Sequence, residues 1–509
     1  MKIKQLIYSL LAVTIGFQSC DKGFEELNTD PTKTTQAYPQ QYLANALINS
    51  LTYNMQRNRN FNNELMQVTV SIGDSDGKVF RYDFRRSFSD YLWNGHFQQL
   101  SNYKDMYAKA SGELNFSRSY QAISLILQAW SYGILTDTYG DIPFSQSNLG
   151  RDSLILEPKF DTQKDVYMGM YAMLDSANTL LRSGATAIDA NADPIFAGDL
   201  AKWRKLGNSL YLRYLLRASG KQEVADYVIP KLQAILQTST STYPIMASND
   251  DNAVLRWTGS GAFQSPYTST RDQDFRATSL ASFFIDYLRD TDDPRINIPL
   301  YGKNGTNRWG IAPISGDYVG VPSGYAAGSE DYSRMSYFHS RDQNSGTGNT
   351  LQTDPLTGII MNFSEIQFIK AEAALRGWIT NGTAENFFYS GAENDIKYWI
   401  PTWAGDIRAH LTASDREWNE SGSFEEKLEH IHLLKYFALF MVDLEQWFEH
   451  RRTGYPKLPK GAGLKNNGEM PARMQYPLYV QSSNPTNYKI AVSQQGPDEI
   501  NTKVWWQKP

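Results

Sequence analysis

Apolar positions recur at helical spacing along most of the chain. In SDYLWNGHFQQLSNYKDMYAKAS, Trp93, Phe97, Leu100 and Lys104 fall on one face with Tyr103 and Tyr107 beside it, and Ser89 stands where an N-cap belongs. RSYQAISLILQAWSYGILTDTYG repeats the pattern with Ile123, Ile126, Leu127, Trp130 and Ile134. TQKDVYMGMYAMLDSANTLLRSG opens on Thr162 with Asp165 three residues on, carries Val166, Met170, Met173, Ala177 and Leu181, and stops at Gly184.

Two further segments read as paired helices. KWRKLGNSLYLRYLLRAS holds Trp203, Leu206, Gly207 and Leu210, the W-x2-L-G opening of a tetratricopeptide helix. FSEIQFIKAEAALRGW, with Ser364 and Gln367 placed for a capping box and three alanines for close packing, is followed by TAENFFYSGAENDIKYWI. SFEEKLEHIHLLKYFALFMVDLEQWFEHRRTGYP predicts one long helix capped by Ser423 and Glu426, lined by Leu433, Phe437, Phe440, Met441, Leu444 and Phe448, and ended by Arg451, Arg452, Gly454 and Pro456. Between these helices run irregular stretches rich in Gly, Ser, Asn, Pro and aromatics, roughly 61–88, 239–278, 299–357 and 456–509. Loops of that length are usually functional, so the pattern predicts a helical scaffold that carries binding loops.

The N-terminus departs from this pattern. Lys2 and Lys4 precede the apolar run LIYSLLAVTIGF (6–17), which is short for a membrane span; Ser19 and Cys20 follow, and then the sequence turns polar. Cys20 is the only cysteine of the 509 residues, so the chain forms no internal disulfide. This arrangement resembles a bacterial lipoprotein signal peptide, which implies cleavage after residue 19, acylation of Cys20, and a polar tether over 20–39. Residues 40–509 then read as a single domain. Acyl chains contribute roughly 0.8 kcal/mol per buried methylene, enough to hold a multiply acylated terminus on a membrane.

Charge and composition narrow the class. The net charge of −5 becomes −7 without Lys2 and Lys4, and no basic stripe exists, which argues against a nucleic-acid partner. Aromatics make up 13% of the chain; most of them suit the core, while Tyr and Trp also suit ligands with apolar faces and hydroxyl rims, and composition alone does not separate the two uses. Catalytic signals are thin. His430 and His432 lie two apart, on different faces of a helix; Glu445 and Glu449 share a face in a spacing that is usually solvated. GDSDGK (73–78) looks like part of a calcium loop but lacks a third early ligand and the Glu at position twelve, so no cofactor is expected and the sequence locates no structural calcium.

Several segments, in order, resemble the SusD/RagB family of nutrient-binding outer-membrane lipoproteins, in its SusD-like branch. They are FEELNTDPT (24–32), DTYGDIPFSQ (137–146), DDPRI (292–296), SEIQFIKAEAALRGW (364–378), WFEHRRTGYPKL (447–458), MPARMQYPLYVQSSNPTNY (470–488) and KVWW (503–506). The resemblance implies a mainly α fold of tetratricopeptide-like hairpins in a right-handed superhelical scaffold, with long loops and little β structure. It also implies a surface-exposed, non-catalytic receptor that captures oligosaccharide and delivers it to a SusC-type TonB-dependent transporter. A peptide-binding, RagB-like role is the alternative, and a helical glycoside hydrolase a distant one.

A sugar site wants flat rings to stack on and fixed polar groups at their rim. Two loops offer both. The first contains Arg81, Asp83, Tyr91, Trp93, Asn94 and His96; starch-binding relatives place an aromatic and an amide near the start of this helix against the ligand, which draws attention to Trp93 and Asn94. The second contains Trp257, Phe263, Tyr267, Arg271 and Asp272, with the rings expected to be exposed among Gly, Ser and Thr. Tyr337, within YSRMSYFHSRDQN, is a third candidate. YGDIP (139–143) reads instead as a structural turn, and Arg451 and Arg452 as helix-end charges and ion-pair partners.

Overall fold

Each apolar stripe is buried against the stripe of a neighbouring helix. The computed structural model describes residues 37–302, 305–330, 332–343 and 348–508. Cys20, the apolar run before it and nearly all of the tether lie outside these residues. The main helices are α1 (Gln40–Arg57), α2 (Phe88–Ser111), α3 (Arg118–Tyr139), α4 (Gln163–Arg182), α5 (Leu200–Ala218), α6 (Ala225–Gln233), α7 (Phe363–Leu375), α8 (Ala384–Trp399), α9 (Phe424–Ala438), α10 (Glu445–Thr453) and α11 (Pro485–Gln495). Successive helices from α1 to α5 pack on one another, as do α7 with α8 and α9. From Pro39 onward the described residues form one compact unit.

Caps set the helix starts. Thr162 accepts from the Asp165 amide and Asp199 from those of Ala201 and Lys202, while Ser423 and Glu426 form a full capping box. The helix around Ser364 begins two residues earlier than its capping-box pattern predicts, because Asn362 takes the Glu365 amide. Close approach explains two glycines: a Cβ on Gly133 of α3 would lie 2.4 Å from the Tyr214 hydroxyl of α5, and one on Gly391 of α8 would lie 2.7 Å from the Phe368 ring of α7. Helix α3 is buried on every side and forms the centre of the scaffold.

The sparse β structure pins the loops. β1 (Thr69–Val70) pairs with β3 (Ser279–Leu280), β2 (Ala253–Leu255) with β6 (Gly358–Met361), and β4 (Ile311–Ala312) with β5 (Tyr337–Phe338), all antiparallel. The stretches predicted as free excursions are therefore tied to the core at several points. One of them, 456–509, also contains helix α11.

The structure breaks the predicted long helix in two. Between α9 and α10 the backbone turns through Met441 (φ +71°) and Asp443 (φ +41°). Asp443 is sealed inside: its carboxylate accepts from Asn54 Nδ2 and Trp130 Nε1, both at 2.8 Å, and its carbonyl accepts from Asn58 Nδ2 at 2.7 Å. The turn residues are themselves buried, so apolar spacing runs through the break without a signal.

Burial pushes the Asp443 carboxyl up to about 7, outweighing Arg213 and the bonds from Trp130 and Asn54. The folded state thus holds a proton that the unfolded chain releases near pH 4. This group's stabilisation is complete below that pH and is lost as pH rises through about 7. The loss amounts to about 4 kcal/mol at roughly 1.4 kcal/mol per pH unit. Urea unfolding at pH 5 and pH 8 should therefore show a smaller pH dependence for Asp443→Asn than for the wild type; an equal dependence would place the proton elsewhere.

Glu445 and Glu449 are not solvated, contrary to the helix-spacing expectation; both are buried. Arg217 bridges Glu445 to Asp137 of α3, and Arg213 holds Glu365 through Nε at 2.7 Å and Nη2 at 2.6 Å. Arg452 joins Glu449 to Glu372, and Lys435 Nζ reaches Glu449 at 2.9 Å. Burial alone would raise the Glu445 carboxyl; Arg213 and Arg217 outweigh it and hold the group below its ordinary value. Arg452 is three residues from Glu449 within α10, but Arg213, Arg217, Lys435 and Glu372 come from other helices, which spacing within α10 cannot reveal.

Candidate ligand-binding site

The YGDIP segment builds the ground beneath the site. Tyr139 is buried and its hydroxyl donates to the Ser89 carbonyl; Gly140 (φ +85°) has no room for a Cβ beside Gln495; Asp141 Oδ1 accepts the Gln163 amide at 2.9 Å. Its role is a structural turn. Trp93, on the first turns of α2, packs into this ground: its ring lies 5.1 Å from Tyr139, 4.9 Å from Phe97, 6.0 Å from Phe160 and 5.7 Å from Tyr476. Only 7% of Trp93 remains exposed.

That exposed edge lines an open pocket of about 300 Å3. Phe97 and Phe160 continue its apolar floor, and Asn94, Asn148, Asn484 and Ser483 supply polar groups. Tyr479 stands at the rim, 41% exposed, with its hydroxyl donated to Asn94 Oδ1. Burial, with Asp90 adding to it, raises the Tyr479 phenol to about 12, so it remains a donor at neutral pH. Asn148 is fixed by bonds from Nδ2 to the Phe97 carbonyl and Ser101 Oγ, both at 2.8 Å, while its Oδ1 has no partner among the described residues. Asn484 is locked by the Pro158 carbonyl and by Asn487. The arrangement presents the edge of Trp93, the exposed Tyr479 and prepositioned amides, the groups that match a ligand with C–H faces and hydroxyl rims.

Trp93 and Asn94 are the two sequence candidates that meet here. The others lie apart, and several are corrected. Trp257 (2% exposed) and Tyr267 (1% exposed) are core residues rather than exposed loop rings. Trp257 follows β2, with its amide bonded to the Pro355 carbonyl, and Tyr267 packs on Phe275 with its hydroxyl 3.5 Å from Met441 Sδ. Phe263 is half-buried against the same core, and Arg271 is exposed but paired with Asp274 at 2.6 Å. Tyr337 is buried in β5 with Arg334 over its ring. Arg81 is buried, donating to the Tyr325 and Gly73 carbonyls, and Asp83 accepts the Gly77 amide; both hold the turn around 73–83. Of the expected helix-end charges, Arg452 is an ion-pair partner, whereas Arg451 is buried over the Trp447 ring and donates to the carbonyls of Ala472 and Asp137.

Sequence reasoning missed Phe160, Asn148, Tyr479 and Asn484. PLYVQSSN (477–484) lacks periodicity, and its cue is only an exposed Leu-Tyr pair after proline. Among the described residues, Glu372, His432 and Glu449 place metal-type donors within 4.8 Å of one another. Their carboxylates are already engaged by Arg452, Lys435 and Arg376, and those cations repel a metal ion, so the trio belongs to the buried ion network.

A helical-hairpin scaffold bearing a shallow aromatic pocket rimmed by amides defines a protein of the ligand-binding kind. The chain belongs to the SusD-like family, whose model, described as starch-binding and associating with the outer membrane, matches residues 31–477. It is similar to a SusD homologue from Bacteroides fragilis (25% identity, 93% of this chain and 100% of that one, TM-score 0.74). A SusD homologue from Bacteroides uniformis (23%, 93% and 100%, TM-score 0.74) and a chitin-binding SusD homologue from Flavobacterium johnsoniae (20%, 92% and 98%, TM-score 0.75) share the fold. No curated protein matches the chain. Among the described residues, no helix is long and apolar enough to cross a membrane.

Proposed function

We propose that this protein is an outer-membrane lipoprotein, anchored through Cys20 and facing the cell surface, that binds oligosaccharide at the Trp93 pocket and passes it unaltered to a SusC-type TonB-dependent transporter. The observation that carries this reading is the pairing of Tyr479, exposed and aimed at Asn94, with the rigid floor of Trp93, Phe97 and Phe160. The starch-binding description of the family and the chitin-binding relative support a neutral glycan as cargo. The pocket offers rings and amides for recognition and no pair of free carboxylates for hydrolysis among its lining residues.

Affinity gel electrophoresis and calorimetry with maltoheptaose, chitohexaose and a protein digest test the reading. At least one glycan should bind, and Asn94→Ala with Tyr479→Ala should weaken it by about 1–3 kcal/mol, the scale of one or two interface anchors, without lowering the melting temperature. Binding of the digest alone, or full glycan affinity in the double variant, would overturn it.

A further inference from the structure

A second cleft, of about 640 Å3, shares no residue with the Trp93 pocket. It opens between the first turn of α5, the segment 248–256 that leads through β2, and the C-terminal half of α8. Its walls are built in advance of any ligand. Asp251 accepts the Ala247 amide and pairs with Lys205 at 2.8 Å, which fixes the 247–251 turn. Asn249 Nδ2 donates to the Asn394 carbonyl at 3.0 Å, and Asn252 Oδ1 accepts the Phe363 amide at 2.6 Å, tying that turn to α8 and α7.

The charges in this cleft are what distinguish it. Lys202, Arg256 and Lys397 line it, against Asp250 as the single lining acid. Lys397 is already paired with Glu393 at 2.5 Å. The side chains of Lys202 and Arg256 have no hydrogen-bond or ion-pair partner among the described residues, and Asp250 pairs with neither of them. Several exposed arginines do find acids, as Arg271 has Asp274, Arg408 has Glu385 and Arg151 has Asp105. In a chain of net charge −5, two unpaired cations facing one preformed cleft form a local positive site. A guanidinium receives a carboxylate through two parallel N–H bonds, and a lysine adds a point charge.

We propose that this cleft is a second binding site, for a carboxylate-bearing oligosaccharide of the oligouronide class, gripped through its carboxylate by Arg256 and Lys202. The choice of a saccharide rests on the glycan-binding reading above; the need for a carboxylate rests on this cleft alone. The rings present, Phe196 and Tyr398, are buried, and the Tyr398 hydroxyl is spent on the Leu356 carbonyl, so recognition falls to charge and to polar edges rather than to an apolar pocket for peptide side chains.

Calorimetry at low salt with trigalacturonate and its methyl ester tests the proposal on the full mature chain. The acid should bind, and esterification or Arg256→Ala with Lys202→Ala should each weaken it about tenfold or more, as expected for charge-assisted bonds. Asn94→Ala with Tyr479→Ala should leave trigalacturonate affinity unchanged, and Arg256→Ala with Lys202→Ala should leave neutral-glycan affinity unchanged, which separates this proposal's failure from failure of the Trp93 pocket. Equal binding of acid and ester, or undiminished binding in the Arg256/Lys202 variant, overturns the site. Equal competition by a glutamate-rich peptide overturns the saccharide assignment.

Discussion

Arg217→Met should destabilise the protein by about 3–5 kcal/mol, the cost of leaving buried charges without their partner. Arg217 is fully enclosed and holds two carboxylates at once, Asp137 and Glu445. Asp137 is also bonded by Tyr167 Oη at 2.6 Å and by Trp506 Nε1 at 2.9 Å, so the charge lies where α3, α4, α5, α10 and the C-terminus converge. Methionine fills much of the volume but supplies no charge, which leaves the Asp137 carboxylate with the neutral donors Tyr167 and Trp506 and Glu445 with Arg213 at 3.5 Å. Adding Asp137→Asn and Glu445→Gln to Arg217→Met removes the stranded charges and should recover a substantial part of the loss, because the cost is electrostatic rather than one of volume. Chemical denaturation of the three proteins measures this; a single variant as stable as the wild type would mean the network adds nothing to folding.

Trp257→Ala should cost about 3–5 kcal/mol, the range for deleting a large buried aromatic, while leaving oligosaccharide affinity at the Trp93 pocket unchanged. Trp257 is sealed after β2, and Gly358 of β6 lies so close that an added Cβ would come 3.1 Å from the indole Nε1. The hole left by alanine is flanked by backbone of the β2–β6 pair, which cannot collapse without breaking ladder bonds. Thermal unfolding paired with calorimetry on one glycan reads both halves. Lost binding with intact stability would return this ring to the ligand site.

Trp257 and Tyr267 show why exposure in loops was hard to read from sequence. Rings among Gly, Ser and Thr have no helical stripe to join, which argues for solvent contact. Here the loops fold back, held by short strand pairs and by Gln352 Nε2 bonds to the carbonyls of Tyr267 and Thr270, and the rings anchor irregular backbone to the core. Trp93 combined both expectations: four neighbouring aromatics clamp it, yet one edge reaches the pocket. Asn94 was legible only through the family resemblance, which places an aromatic and an amide near the start of this helix against the ligand; in the structure it is exposed beside buried Trp93. Tyr479, its partner, lies 385 residues further along the chain.

Most of the long helices, the caps at Thr162 and Ser423 and the YGDIP turn were legible in the sequence, because they depend on interactions within a few residues: apolar spacing, side-chain oxygens on nearby amides, and a glycine where the backbone turns; the cap expected at Ser89 falls inside α2, which starts at Phe88. The sequence also carried the family resemblance, through motifs that prove to be structural, such as Asp137 and Trp506 meeting in one buried bond. Where the long helix breaks at Asp443, the burial of Glu445 and Glu449, and which aromatics border open space could be read only from the folded chain. Asp443 and Glu445 depend on partners more than two hundred residues away, and Glu449 is enclosed with Lys435 and Glu372 of neighbouring helices; that placement is set by packing of the whole scaffold rather than by local preference.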